Sequence, residues 1–307
     1  MTAIRLDGKV AVVTGAGRGL GQAYANVLAA AGAAVVVNDI DASAEQTVSQ
    51  INGAGGRAVA EIAAIGSSES AERIVERAFA EFGRIDIMVT NAGVLRDRVL
   101  WKMTDEDFDL VIETHMRGTF TCLRAAAIRM REQGEGGRII LVGSPAGQFG
   151  NFGQVNYSAA KAGIMTMART ASIELARAGI TVNTIVPTAW TQMTASIPLY
   201  EPLIAKVDAG EPLPREVRRD HAIGMPEECA GLIVFLGSDQ ASGISGQAIG
   251  IGGDKLTLYS HPAEAAVAFR DGGWDADAIA QAWDSDLSAS AQPSGVSLPP
   301  LNLSREA

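Results

Sequence analysis

The stretch Val10-Ala11-Val12-Val13-Thr14-Gly15-Ala16-Gly17-Arg18-Gly19-Leu20-Gly21 decides the fold. Val10–Thr14 is short, rich in β-branched residues and apolar on both faces, as a strand buried inside a parallel sheet must be. Leu20–Ala31 then carries a helical pattern stopped by Gly32. Between them the glycines let the chain turn sharply and bring its backbone close to a pyrophosphate, whose charge a helix N-terminus attracts. A glycine-rich loop alone is a weak signal; a strand before it and a helix after it make it strong.

The same alternation continues outward. Ala34–Asn38, Ala58–Ile62, Ile85–Thr90, Arg138–Val142, Thr181–Val186 and, as the last strand, Gln247–Ile251 read as strands. Ser43–Asn52, Glu69–Phe82, Asp105–Gln133, Val155–Ala178 and Pro226–Leu236 read as helices. Repeated strand–helix units predict a doubly wound parallel α/β sheet, a Rossmann-type fold in a single domain. We expect a dinucleotide-binding catalytic domain over 1–255, with a lid at about 188–225 where four of the eleven prolines cluster. A C-terminal extension over 256–287 and a flexible tail over 288–307 complete the division. Leu256, Leu258, Tyr259, Val267, Phe269, Trp274, Ile279 and Trp283 make the extension too apolar to be solvated. It is expected to pack on its own core, on the mouth of the active site or on a neighbouring subunit. The tail is expected to matter little.

Composition excludes several classes. The 307 residues carry a net charge of −10, and half of it lies in 256–307, where seven acids face two arginines. No basic face offers itself to nucleic acid. No apolar run approaches the roughly 20 residues of a membrane span. Cys122 and Cys229 form no metal-ligand pattern and read as buried thiols, and no metal is expected. The N-terminus lacks the pattern of a secretory leader and the C-terminus that of a peroxisomal address, so cytoplasm is the default.

Asp39, at the end of the second strand, is placed to accept hydrogen bonds from the adenosine ribose and to repel a 2′-phosphate, which favours NAD over NADP. Arg18 in the glycine loop keeps NADP open, because a guanidinium pairs with phosphate. Tyr157 and Lys161 stand four apart on one helix face, so phenol and ammonium can lie side by side, a positive charge favouring phenolate. Ser144 follows a strand end from which a loop reaches the same pocket.

With these residues in view, the sequence resembles the short-chain dehydrogenase/reductase family from about Leu6 to Gly253. The resemblance implies hydride transfer between a nicotinamide cofactor and an alcohol or carbonyl, in a homodimer or homotetramer. It implies Tyr157 as general acid/base, Ser144 as holder of the substrate oxygen, and Lys161 as ribose ligand that lowers the Tyr157 pKa. It assigns cofactor contacts to Gly15, Arg18, Gly19, Leu20, Gly21, Asp39, Ile65, Asn91, Ala92, Gly93, Tyr157, Lys161, Pro187, Thr188 and Thr191. Within the family, Val36–Asp39, Gly93–Arg98, His115–Gly118 and Gly150–Gln154 are similar to the hydroxyacyl-CoA dehydrogenase unit of peroxisomal multifunctional enzyme type 2 and its stand-alone bacterial relatives. That implies a 3-hydroxyacyl-CoA or a similar bulky hydroxy substrate.

Three positions depart from the family pattern. His115 replaces an asparagine that holds a water behind the lysine, and either keeps that relay or fills space. Thr188 replaces a glycine after Pro187. Ala63-Ala64-Ile65 lacks the usual aspartate that meets adenine, leaving backbone contacts. The competing readings are an NADP-linked 3-oxoacyl reductase, a steroid or cyclic alcohol dehydrogenase, and a non-catalytic dinucleotide-binding scaffold.

Overall fold

A computed structural model describes residues 3–195 and 197–301. In chain order the elements begin with β1 (Val10–Thr14), α1 (Gly19–Ala30), β2 (Ala34–Asp39), α2 (Ser43–Gly53), β3 (Arg57–Ile62), α3 (Ser68–Phe82) and β4 (Ile87–Thr90). There follow α4 (Asp105–Val111), α5 (Gly118–Gln133), β5 (Gly137–Val142), α6 (Pro145–Phe149), α7 (Val155–Leu175) and β6 (Ile180–Pro187). The last are α8 (Gln192–Ala195), α9 (Ile204–Asp208), α10 (Arg215–Arg219), α11 (Pro226–Gly237), β7 (Ala248–Gly252), β8 (Lys255–Tyr259) and α12 (Ala276–Ala282).

The strands form one eight-stranded sheet, ordered β3-β2-β1-β4-β5-β6-β7-β8. All pairs are parallel except β7 with β8. The period-two alternation of a strand serves two cores at once. Ala11, Val13, Val35 and Val37 face α1 and α11 on one side. Val10, Val12, Ala34 and Val36 face α3, α5 and α7 on the other. Both faces are therefore covered, as the uninterrupted apolar strands require. Strand order reverses between β1 and β4, the switch point where such sheets bind ligands beyond the carboxyl ends of their strands.

Three findings depart from expectation. Gln247–Ile251 is not the last strand: the first residues of the expected extension form β8, which pairs antiparallel with β7 from Lys255 to Tyr259. Asp105–Gln133 is not one uniform helix, because Ile112–Arg117 makes a π-helical turn between α4 and α5. Such a turn inserts an extra residue and resets the faces of the helix. Beyond β8, Phe269, Trp274, Ile279 and Trp283 stay exposed on this single chain. Pro299 and Leu301 touch the lid.

Candidate active site

The ends of β1, β2, β4 and β5 and the helix α7 build the site. At the end of β1, the Thr14 hydroxyl accepts the backbone N–H groups of Asn91 and Ala92, at 3.0 and 3.2 Å. The Asn91 amide donates back to the carbonyls of Thr14 and Gly15, at 3.1 and 2.9 Å. These four bonds tie the loops after β1 and β4 together across the switch point. Gly15 has φ +61°, and a Cβ there would lie 2.6 Å from the Ala92 Cα, so only glycine lets the two loops touch.

Helix α1 starts with no side-chain cap and no acid in its first turn. Its leading N–H groups and its dipole suit a phosphate. At the end of β2, Asp39 is buried, its carboxylate accepting Gly17 N–H at 2.8 Å and Ile40 N–H at 2.7 Å. The glycine loop is thereby clamped to the acid expected to meet ribose. These residues fit a dinucleotide. Arg18 turns toward Asp41, 2.5 Å away, on the neighbouring loop.

The remaining expected cofactor residues rim the same edge. Asn38 takes up the carbonyls of Glu61 and Ala63, each at 2.9 Å, steadying the end of β3 where the family's aspartate is missing. Ile65 is half-buried and packs close against Gly118 at the start of α5. Pro187 ends β6. Thr188 N–H bonds the Ile251 carbonyl at 2.9 Å, and the Thr191 hydroxyl sits 3.4 Å from that of Thr194. Leu20 and Gly21 lie in the first turn of α1.

Ser144 caps α6, its hydroxyl accepting Ala146 N–H at 3.2 Å. Tyr157 and Lys161 stand one turn apart on α7. Burial pushes the Tyr157 phenol above its ordinary value; the Ser144 hydroxyl beside it opposes that rise and the Asp97 charge adds to it. Lys161 is buried, donates to the Val142 carbonyl at 2.7 Å, and lies 5.6 Å from the centre of the Tyr157 ring. Burial brings its pKa down to about 7. Burial is the largest influence on both groups, raising the phenol and lowering the ammonium.

His115 lies on the π turn, buried, with its ring edge-on to Tyr157 at 5.1 Å. Its Nε2 faces both backbone groups of Val94, 2.8 Å from the carbonyl oxygen and 3.1 Å from the nitrogen. Nδ1 is buried and without a partner among the described residues. Burial first, then the Lys161 charge, pushes His115 down to about 3, so the ring is neutral through the ordinary pH range. Gly93 is held to glycine because a Cβ would run into this ring.

Sequence reading missed Asp41 and Asn156. The buried Asn156 amide donates to the Arg96 and Asp107 carbonyls at 3.0 and 3.1 Å, and its oxygen accepts Tyr157 N–H at 2.8 Å. It fixes the loop after β4 to the start of α7, through backbone groups that no motif announces. Asp41 was legible as a second carboxylate two residues beyond Asp39. Cys122 and Cys229 are buried as expected, each thiol pushed up to about 12 by burial. An apolar cleft of about 590 Å³ lies beside α6 and α7, against Ala146, Gly147, Ser158 and Ala162; the lining includes none of Ser144, Tyr157 and Lys161.

Comparison with known proteins matches this architecture. The short chain dehydrogenase family matches residues 9–200. Peroxisomal multifunctional enzyme type 2 of Drosophila melanogaster is 47% identical over 204 residues, which cover 63% of this chain and 33% of that protein. The chain thus spans about a third of the length of that relative. Hydroxyacyl-CoA dehydrogenase ChsB1 of Mycobacterium tuberculosis is 40% identical over 270 residues, covering 84% of this chain and 81% of the relative. A 3-oxoacyl-[acyl-carrier-protein] reductase of Synechocystis sp. is 41% identical over 252 residues, covering 81% and 97%. The crystal structure of a short chain dehydrogenase from Mycobacterium avium superposes with a TM-score of 0.81 at 34% identity, covering 95% of this chain and 98% of that one. No helix among the described residues is long and apolar enough to cross a membrane. The chain belongs to the short-chain dehydrogenase/reductase family and is an oxidoreductase acting on CH–OH groups.

Proposed function

We propose that the protein oxidises the secondary alcohol of a bulky hydroxy substrate, a 3-hydroxyacyl-CoA or a thioester like it, with NAD as its cofactor. The observation that carries the chemistry is the grouping of a buried Ser144, a buried Lys161 and a half-buried Tyr157 near the carboxyl ends of the strands. NAD supplies the hydride acceptor when bound. Ser144 donates a hydrogen bond to the substrate oxygen and fixes it beside the phenol. Tyr157 takes the hydroxyl proton on oxidation and returns it on reduction. Lys161, held by the Val142 carbonyl, carries protons to and from the phenol. His115 keeps a buried, unpartnered Nδ1 within reach of the Lys161 charge, which supports a relay role in place of the missing asparagine.

NAD is favoured by charge. The Asp39 carboxylate at the end of β2 would repel a 2′-phosphate, and Asp41 takes the Arg18 guanidinium that would otherwise attract one. The acyl thioester is favoured by the named relatives among multifunctional enzymes and hydroxyacyl-CoA dehydrogenases. The 3-oxoacyl reductase is the second reading, supported by the 41% identity over 252 residues. Exposed apolar residues on β8 and beyond it, Leu256, Leu258, Phe269 and Trp283, support a homo-oligomer. Initial rates with NAD and NADP against 3-hydroxyacyl-CoAs, steroid alcohols and cyclic alcohols test the reading. Turnover of the thioesters with NAD is the expected result.

A further inference from the structure

The segment after α12 makes three separate contacts with the substrate side of the molecule. Gly295 N–H donates to the Phe149 carbonyl at 2.8 Å, at the end of α6, the helix that Ser144 caps. Pro299 presents its carbonyl to His221 Nε2 at 2.7 Å. Leu301 packs on a lid cluster made by Trp190, Tyr200, Leu203, Leu213, Val217 and Ile223. One short stretch of chain therefore spans from the serine helix to the lid.

His221 is the joint. The Pro299 carbonyl can only accept, so Nε2 carries the proton and Nδ1 is left to accept the Tyr200 hydroxyl, also at 2.7 Å. Tyr200 and His221 are each only 3% exposed, so neither bond is exchanged freely for water. The residue after His221, Ala222, holds φ +55°, a left-handed conformation that strains a side chain with a Cβ. A strained, buried joint persists only where its surroundings fix it.

We infer that His221 is a positioning residue, which locks the lid turn at Tyr200 to residues 291–301 and so makes the C-terminal segment one wall of the substrate site. The bulky-substrate part of this inference rests on the proposed function. The coupling of lid to segment does not.

The test compares the full chain with one ending at Ser290, and with a control ending at Leu301 that keeps every contact named. His221→Phe keeps the packing and removes both bonds, and His221→Gln keeps one donor and one acceptor. Hydrogen exchange over residues 197–213 is followed without substrate, and KM for a long 3-hydroxyacyl-CoA and for NAD are measured separately. Loss of the segment and His221→Phe should each speed lid exchange at least tenfold. Each should raise KM for the thioester five- to tenfold while moving KM for NAD less than twofold. His221→Gln should recover most of both effects, and the Leu301 control should match the full chain. Unchanged exchange in the shortened chain and in His221→Phe overturns the coupling. A fall in thioester KM overturns the wall, since the segment would then be an obstruction. If no thioester turns over in the full chain, the substrate reading fails and the exchange measurement still decides the coupling.

Discussion

Tyr157 sits under opposed influences, burial and the Asp97 charge that raise its pKa and the Ser144 hydroxyl that lowers it. Tyr157→Phe removes the proton acceptor alone, so kcat should fall by about 10²–10⁴-fold while NAD binding stays close to intact. The wild-type kcat/KM for oxidation should rise with pH as the acceptor deprotonates, and that rise should vanish in the variant. A variant keeping more than a tenth of the rate contradicts the assignment. Asp39 and Asp41 are proposed to act together at the cofactor end. Asp39→Ala should shift the kcat/KM ratio toward NADP, and the Asp39→Ala/Asp41→Ala pair should shift it further by freeing Arg18. An unchanged ratio in both would remove the basis for NAD. His115 makes a stability prediction with a definite sign. Its folded pKa of about 3 lies below the ordinary 6.5. Between those values the unfolded chain binds a proton that the folded chain refuses, so stability is full above pH 6.5 and falls as pH drops toward 3. Denaturant titrations should show His115→Asn flattening that slope by about 1 kcal/mol per pH unit. His115→Asn should keep most activity and His115→Leu should not. Equal slopes and equal activities would reduce His115 to packing.

At the scale of elements, local chemistry and tertiary context divide what the chain announces. Val10–Thr14 followed by Gly15–Gly21 is a complete local instruction, and β1, its loop and α1 follow from it. Thr104 likewise caps α4 through Asp107 N–H, with acids in the first turn, as its sequence demands. The π turn at Ile112–Arg117 has no such signature. A helix pattern reads the same with or without one inserted residue, and the insertion goes with the place His115 takes against Gly93 and Tyr157. Strand β8 was hidden for a related reason. Lys255–Tyr259 alternates weakly and has only β7 to pair with, so its existence depends on an edge that sequence does not display. Ser144, Tyr157 and Lys161 were legible because their spacing is chemistry. Asn156 was not, because its partners are backbone groups of a distant loop.

At the scale of the molecule, sheet order brings the ends of β1, β2, β4 and β5 to one rim, and the residues proposed for cofactor binding and catalysis lie along it. The apolar surface of β8 and the residues beyond it marks the opposite tendency, outward from the chain. If it is an assembly surface, Leu256→Glu/Leu258→Glu should lower the mass seen by light scattering while leaving the fold intact by circular dichroism. A mass unchanged by both charges would remove that role. The central claim is that this rim oxidises a hydroxyacyl thioester with NAD through Tyr157. Its most direct measurement is the appearance of reduced nicotinamide absorbance when wild-type protein and Tyr157→Phe each meet a 3-hydroxyacyl-CoA, with NAD and with NADP. The account predicts rapid reduction of NAD by the wild type, slow reduction of NADP, and almost none of either by Tyr157→Phe. Equal rates from the two proteins, or reduction of NADP in preference to NAD, would contradict it.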